Sequence, residues 1–149
     1  MSGRHLCAVT ALLFVPAWFL PAAHTSGDLF RGESEGWRAF VFALSPLFGN
    51  DIDGSLPLLL WMVTSAASNL LLVLALVLVC WRPHAAGRRL VWSLAAATAV
   101  NAYWYWLPEM RPDLRIGYYL WLGAFALGTV AAGVAVREQA AATGIGAAA

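Results

Sequence analysis

Thr64, Ser65, Ser68 and Asn69 are the densest set of side chains in this chain that could engage another molecule. They lie midway along an uncharged apolar run from Leu56 to Trp81. At helical spacing, the i, i+4 pairs 64/68 and 65/69 share one side of the helix. An unpaired amide such as that of Asn69 is costly in apolar surroundings and therefore needs a partner. Thr98 and Asn101, in the next apolar run, can supply one, with Thr98 nearest in depth if the two helices run antiparallel. Two chemistries suit such a patch. It can join helices through hydrogen bonds worth ~0.6 to 2 kcal/mol each, or it can line a small-ligand pocket or polar path.

Residues capable of stronger chemistry are dispersed. His5, His24 and His84 fall in separate connecting segments, so no pair is expected to hold haem or zinc. Asp51-Ile-Asp-Gly54 has the outline of a calcium loop. Counting from Gly54, however, the first and twelfth positions are Gly49 and Leu60, where carboxylates are required. A turn leading into a helix suits it better, with Ser55 as N-cap and Pro57 just inside. The chain has no Gly-x-Ser-x-Gly elbow, no glycine-rich phosphate loop and no paired carboxylates within an apolar run. Cys7 and Cys80 lack CxxC spacing and read as small apolar side chains. Catalytic residues, metal ligands and cofactors are all expected to be none, and the protein is not expected to be an enzyme.

The elements that must position the polar patch are four runs without Asp, Glu, Lys, Arg or His: residues 6–23, 56–81, 90–107 and 116–136. As helices rising ~1.5 Å per residue, each is long enough for a hydrocarbon core of roughly 30 Å. Together with 61% apolar content, they predict a single all-α integral membrane domain, residues 1–149, built as a four-transmembrane-helix bundle. Pro16 should kink the first span. That span has the outline of a signal peptide, but an Ala-x-Ala cleavage site is missing, so it is expected to be retained. A net charge of +1 gives no basic surface for nucleic acid.

Arginine placement sets orientation. The short connection 82–89 packs Arg82, Arg88 and Arg89 with no acid, and such loops stay cytoplasmic. Arg4 and Arg137 agree, placing both termini in the cytoplasm of a multi-pass inner-membrane protein. The outer loops are then 24–55 and 108–115, with 137–149 as a tail that frays from the last helix.

Within the first outer loop, residues 25–36 are turn-rich and read as irregular. Trp37, Phe40, Val41, Leu44, Leu47 and Phe48 then recur at helical spacing, predicting an interfacial amphipathic helix over about 37–48, with Arg38, Ala39 and Ser45 on its other side. Trp37, Trp61, Trp104, Trp106 and Trp121 crowd the outer boundary. They form either an aromatic belt or the walls of a cavity opening outward for an apolar ligand. In the last span Ala124, Gly128 and Ala132 make a row of small residues suited to close helix contact, with Gly123 and Gly133 broadening it for the first helix.

The layout of four spans with a large first outer loop resembles claudin-like proteins in topology only, because the Gly-Leu-Trp and paired-cysteine pattern is missing. Gly36-Trp37 ahead of an apolar helix, and Gly117-Tyr-Tyr-Leu-Trp121 opening the last span, resemble small uncharacterised bacterial four-span inner-membrane proteins. That resemblance implies the layout and no activity. The expected function is that of a non-enzymatic membrane protein acting through contacts, as an accessory subunit, assembly factor or immunity-type protein. Its expected partners are the lipid bilayer and a protein partner or a second copy. The alternative is a small channel or carrier for a neutral or lipid-like ligand using the polar patch.

Overall fold

A computed structural model describes residues 2–25, 32–48, 55–82, 86–108, 111–142 and 144. Among these the chain is mostly helical, with five α-helices and one β-hairpin. Helix α1, Gly3–Ala17, begins at Ser2, whose Oγ accepts from the His5 amide at 3.4 Å. It stops one residue after Pro16, where the Phe19 and Leu20 amides both fold back to the Pro16 carbonyl at 3.0 Å. The first apolar run was expected to continue as helix to Ala23. Instead Pro21–Thr25 forms strand β1, antiparallel to β2, Gly32–Glu35, with an irregularity between Pro21 and Ala23. This hairpin corrects the expectation of an all-α chain and, at Gly32–Glu35, that of an irregular stretch, while residues 26–31 lie outside the described residues. Prolines at 16 and 21 remove two of the amides a helix would need, and the short Ala22 and Ala23 side chains fit an extended ribbon. The free edge of β1 is covered: Ala23 bridges Leu114, and the Arg115 amide donates to Ala22 O at 2.9 Å.

Helix α2, Gly36–Leu44, continues into a 3₁₀ turn at Ser45–Phe48, where the Ser45 hydroxyl donates to Phe42 O at 2.7 Å. Helices α3, Leu56–Trp81, α4, Arg88–Trp106, and α5, Ile116–Ala142, follow. Ser55 occupies the N-cap position of α3, though its side chain makes no capping bond, and Pro57 sits in the first turn. The calcium-like stretch 49–54 lies outside the described residues. Helix α5 runs past Arg137 to Ala142, so the start of the expected tail is helical.

Two helices, α3 and α5, are long and apolar enough to cross a membrane by length and composition. The 15 residues of α1 make a shorter apolar helix, and α4 opens on Arg88 and Arg89. Large apolar side chains such as Leu12, Leu70, Leu74, Trp92 and Val130 face outward. An apolar exterior of this kind is compatible with a hydrocarbon surround.

Helix α5 is central. It packs most extensively on α1 and next on α4, and α3 touches all three. Small residues set the closeness of α1 and α5. A Cβ on Gly3 would lie 3.1 Å from both the Ala131 carbonyl and the Ala135 side chain. The Gly3 amide donates to the Glu138 carboxylate at 3.3 Å, an acid placed where the α1 N-terminus favours one. Ala124, Ala131 and Ala132 are fully buried. Gly128 faces both neighbours, because a Cβ there would lie 2.7 Å from Leu72 Cδ1 and 3.5 Å from Thr10 Cγ2. Gly123 and Gly133, expected to broaden this row, instead border open space. They lie on other sides of the α5 cylinder, since at 100° per residue a position five away from Gly128 is rotated well off its face.

Candidate functional site

The end of α1, the start of α3, the end of α4 and the start of α5 meet at one pole of the bundle, beneath the hairpin and α2. Between them lies a cavity of about 540 Å³. Its walls come from periodic faces. Helix α2 presents Gly36, Ala39, Phe40 and Ala43 at i, i+3, i+4 and i+7, and α3 presents Leu58, Met62, Ser65, Ala66 and Asn69. Trp18, Trp104, Tyr118 and Trp121 complete the enclosure. Among the described residues, no Asp, Glu, Lys, Arg or His contributes to the lining.

Two glycines frame this cavity. The Gly36 amide donates to Leu20 O at 3.2 Å and the Trp37 amide to Trp18 O at 3.0 Å, docking α2 on the end of α1. A Cβ on Gly36 would collide with the Ala17 carbonyl. A Cβ on Gly117 would lie 2.7 Å from the Leu20 and Pro21 carbonyls. The Gly36-Trp37 and Gly117…Trp121 motifs, distant in sequence, thus converge on the same junction, residues 17–21. Aromatic contacts hold α2 in place, with Trp18 and Phe40 ring centroids 5.1 Å apart and Phe14 and Trp18 5.9 Å apart.

The inner floor is a hydrogen-bonded network. The Ser65 hydroxyl donates to Asn101 Oδ1 at 2.7 Å and accepts from Trp104 Nε1 at 3.2 Å. Asn101 Nδ2 donates to Ser68 Oγ at 2.9 Å, and that hydroxyl donates to Ser65 O at 2.6 Å. Tyr118 donates to Asn101 O at 3.0 Å. Trp121 Nε1 donates to Asn69 Oδ1 at 2.6 Å, and Asn69 Nδ2 reaches Ala66 O at 3.1 Å and Ser65 O at 3.4 Å. An indole N–H can only donate, which fixes the Asn69 amide orientation. Three helices are joined here through groups that satisfy one another, as buried polar groups require.

The structure divides the residues singled out from sequence. Ser65, Ser68, Asn69 and Asn101 come together in this floor. Thr64 does not join them: it is exposed and donates to Leu60 O at 2.7 Å. Thr98 pairs with Thr129 of α5 at 3.2 Å, away from Asn69. Asn69 therefore finds its partner on α5, in Trp121, and not on α4 as expected; Ser65 and Ser68 make the α3–α4 link. Of the five tryptophans, Trp104 and Trp121 line the cavity and bond its floor. Trp37 is exposed on the outer side of α2, with the Arg38 guanidinium 5.2 Å from its ring, and Arg38 also pairs with Glu35 at 3.0 Å. Trp61 packs at a tilt against Tyr103, ring centroids 4.6 Å apart, and Trp106 is exposed beside Tyr105. Ala39 lines the cavity, although the helical pattern sets it on the opposite side.

Sequence reasoning missed Trp18, Tyr118 and Thr129. A buried indole or phenol needs an acceptor, and that requirement was the available signal for Tyr118 and Trp121. No cluster of His, Cys, Asp or Glu that could hold a metal ion occurs among the described residues. Comparison with protein-family models, curated proteins and solved structures finds no match for this chain.

Proposed function

We propose that the chain is a four-span inner-membrane protein with cytoplasmic termini that binds a neutral, lipid-like ligand at its outer pole without chemically altering it. The observation that carries this reading is the cavity of about 540 Å³, aromatic-walled and lined, among the described residues, by no Asp, Glu, Lys, Arg or His. Its volume falls within the ~300–1,000 Å³ typical of small-molecule sites. Charged head groups find no partner in such a lining, while an apolar body packs favourably against every wall. A described lining without charged groups and with few oxygens left to accept favours a binder over an ion path, because ions need several groups free to replace their hydration.

Native mass spectrometry of protein released from membranes tests the reading. The wild type should carry a neutral lipid-sized adduct, and Ala43→Trp, which fills the cavity from α2, should lose it while remaining folded. Equal adducts on both proteins, or none on the wild type, would defeat it. A contact role as accessory subunit, assembly factor or immunity-type protein draws support from Trp37, Val41, Leu47 and Phe48, exposed along α2 and its 3₁₀ extension. A protein crosslinked specifically through Val41 would favour that role.

A further inference from the structure

We infer that the ligand of this cavity presents a hydroxyl group to the floor, and that the site discriminates against ethers, esters and carboxylates of the same length. The inference rests on the reading of the cavity as a ligand site and follows from which hydrogen-bonding capacity the floor has left. Among the described residues, the side-chain donors bordering it are engaged. Trp104 Nε1 donates to Ser65, Trp121 Nε1 to Asn69, Tyr118 to Asn101 O, and the Ser65 hydroxyl to Asn101 Oδ1. Asn69 Nδ2 meets two carbonyls, of Ala66 and Ser65. Ser34, the other polar side chain in the lining, is buried and also partnered. At the junction with α1, the Gly36 and Trp37 amides are bonded to Leu20 O and Trp18 O.

What remains is acceptor capacity. A hydroxyl oxygen and an amide oxygen each offer two lone pairs. Ser65 Oγ receives a single bond, from Trp104, and Asn69 Oδ1 a single bond, from Trp121. Both residues belong to the lining. A ligand oxygen that only accepts would face these acceptors with no hydrogen between them, losing its water without compensation. A carboxylate or phosphate would add an unpaired charge. An ammonium could donate, but among the described residues the lining holds no acid to balance it. A neutral O–H satisfies the floor, and its chain occupies the volume between α2 and α3.

The test uses the full chain in nanodiscs, photolabelled with a diazirine-bearing long-chain alcohol. Labelled peptides are mapped, and labelling is competed with dodecanol, its methyl ether or dodecanoate. The expected result is labelling at Met62 and neighbouring lining residues, with dodecanol competing at about three- to tenfold lower concentration than the ether, the loss typical of one hydrogen bond. Dodecanoate should compete more weakly than dodecanol. Equal competition by alcohol and ether would overturn the hydroxyl inference and leave the cavity as an apolar site. Absence of labelling in the lining would overturn the ligand site itself, and the inference with it. Ala43→Phe, which narrows the cavity without touching the floor, should reduce labelling at Met62. Unchanged labelling in that variant would place the probe outside the cavity and equally overturn the inference.

Discussion

At the arginine-rich pole, α1 and α5 lie so close that alanines and glycines fill the interface. At the opposite pole, rings and a hydrogen-bonded floor hold the same helices around an open volume. Gly3 packs on Ala131 and Ala135, and Gly128 on Leu72 and Thr10, where dispersion forces hold the surfaces together. A few turns away, Trp18, Trp104, Tyr118 and Trp121 surround about 540 Å³ of space. Small residues bring backbones together and leave nothing between them. Large planar ones touch at edges, bond through their N–H and O–H groups, and leave gaps no neighbouring side chain fills. The contrast separates a closely packed region from an open one.

The largest effect expected from breaking this contrast is at Gly128. A Cβ there already approaches Leu72 Cδ1, the mobile end of a side chain, so Gly128→Ala should be tolerated. Gly128→Leu overpacks the α1–α3–α5 junction and should cost about 3 kcal/mol or more. Thermal unfolding in detergent should show it as a large loss of stability or of folded yield. If Gly128→Leu stays folded while a crosslinked dimer disappears, the row meets another copy instead.

Gly117→Ala should rank next. Its neighbours are the Leu20 and Pro21 carbonyls, which are backbone and cannot step aside cheaply. A loss of about 1–3 kcal/mol is expected, with the hairpin and α2 loosened first. Hydrogen exchange should therefore rise at residues 20–24 more than along the α1–α5 interface. A uniform rise would mean the two poles unfold as one unit.

The tight pole was the more legible in sequence. Ala124, Gly128 and Ala132 declare themselves by four-residue spacing. The open pole was less so, for reasons tied to particular residues. The outcome at Pro16 and Pro21 depends on where strand β2 lies, which no local pattern states. Asn69 announces a need for a partner but not its address. For Trp121 depth alone is legible, which suits an aromatic belt or a cavity wall, and only the helix arrangement aims its N–H at Asn69. Ala39 and Ala43 are too small to mark a face, yet their smallness leaves the cavity open.

Smaller effects sharpen the comparison within the polar layer. Asn101→Leu removes bonds to Ser65 and Ser68 together and should cost about 1–3 kcal/mol, because both hydroxyls lose a partner in a buried site. Thr98→Val breaks the single bond to Thr129, with a cost of about 0.6 kcal/mol expected for an interhelical bond of this kind. Equilibrium unfolding of both variants should preserve that order. A larger loss in Thr98→Val would shift the structural weight from the floor to the α4–α5 seam.

That the aromatic pole holds an accessible, ligand-sized space while the core beside it does not is tested most directly by cysteine reactivity in nanodiscs. The background is Cys7→Ala with Cys80→Ala, which removes both native thiols. Met62→Cys, on the cavity wall, should react with a small apolar maleimide and be protected by dodecanol, whereas Leu72→Cys, buried against Gly128, should stay unreacted. A Met62→Cys variant as inert as Leu72→Cys would contradict the division of the bundle into an open and a closed pole.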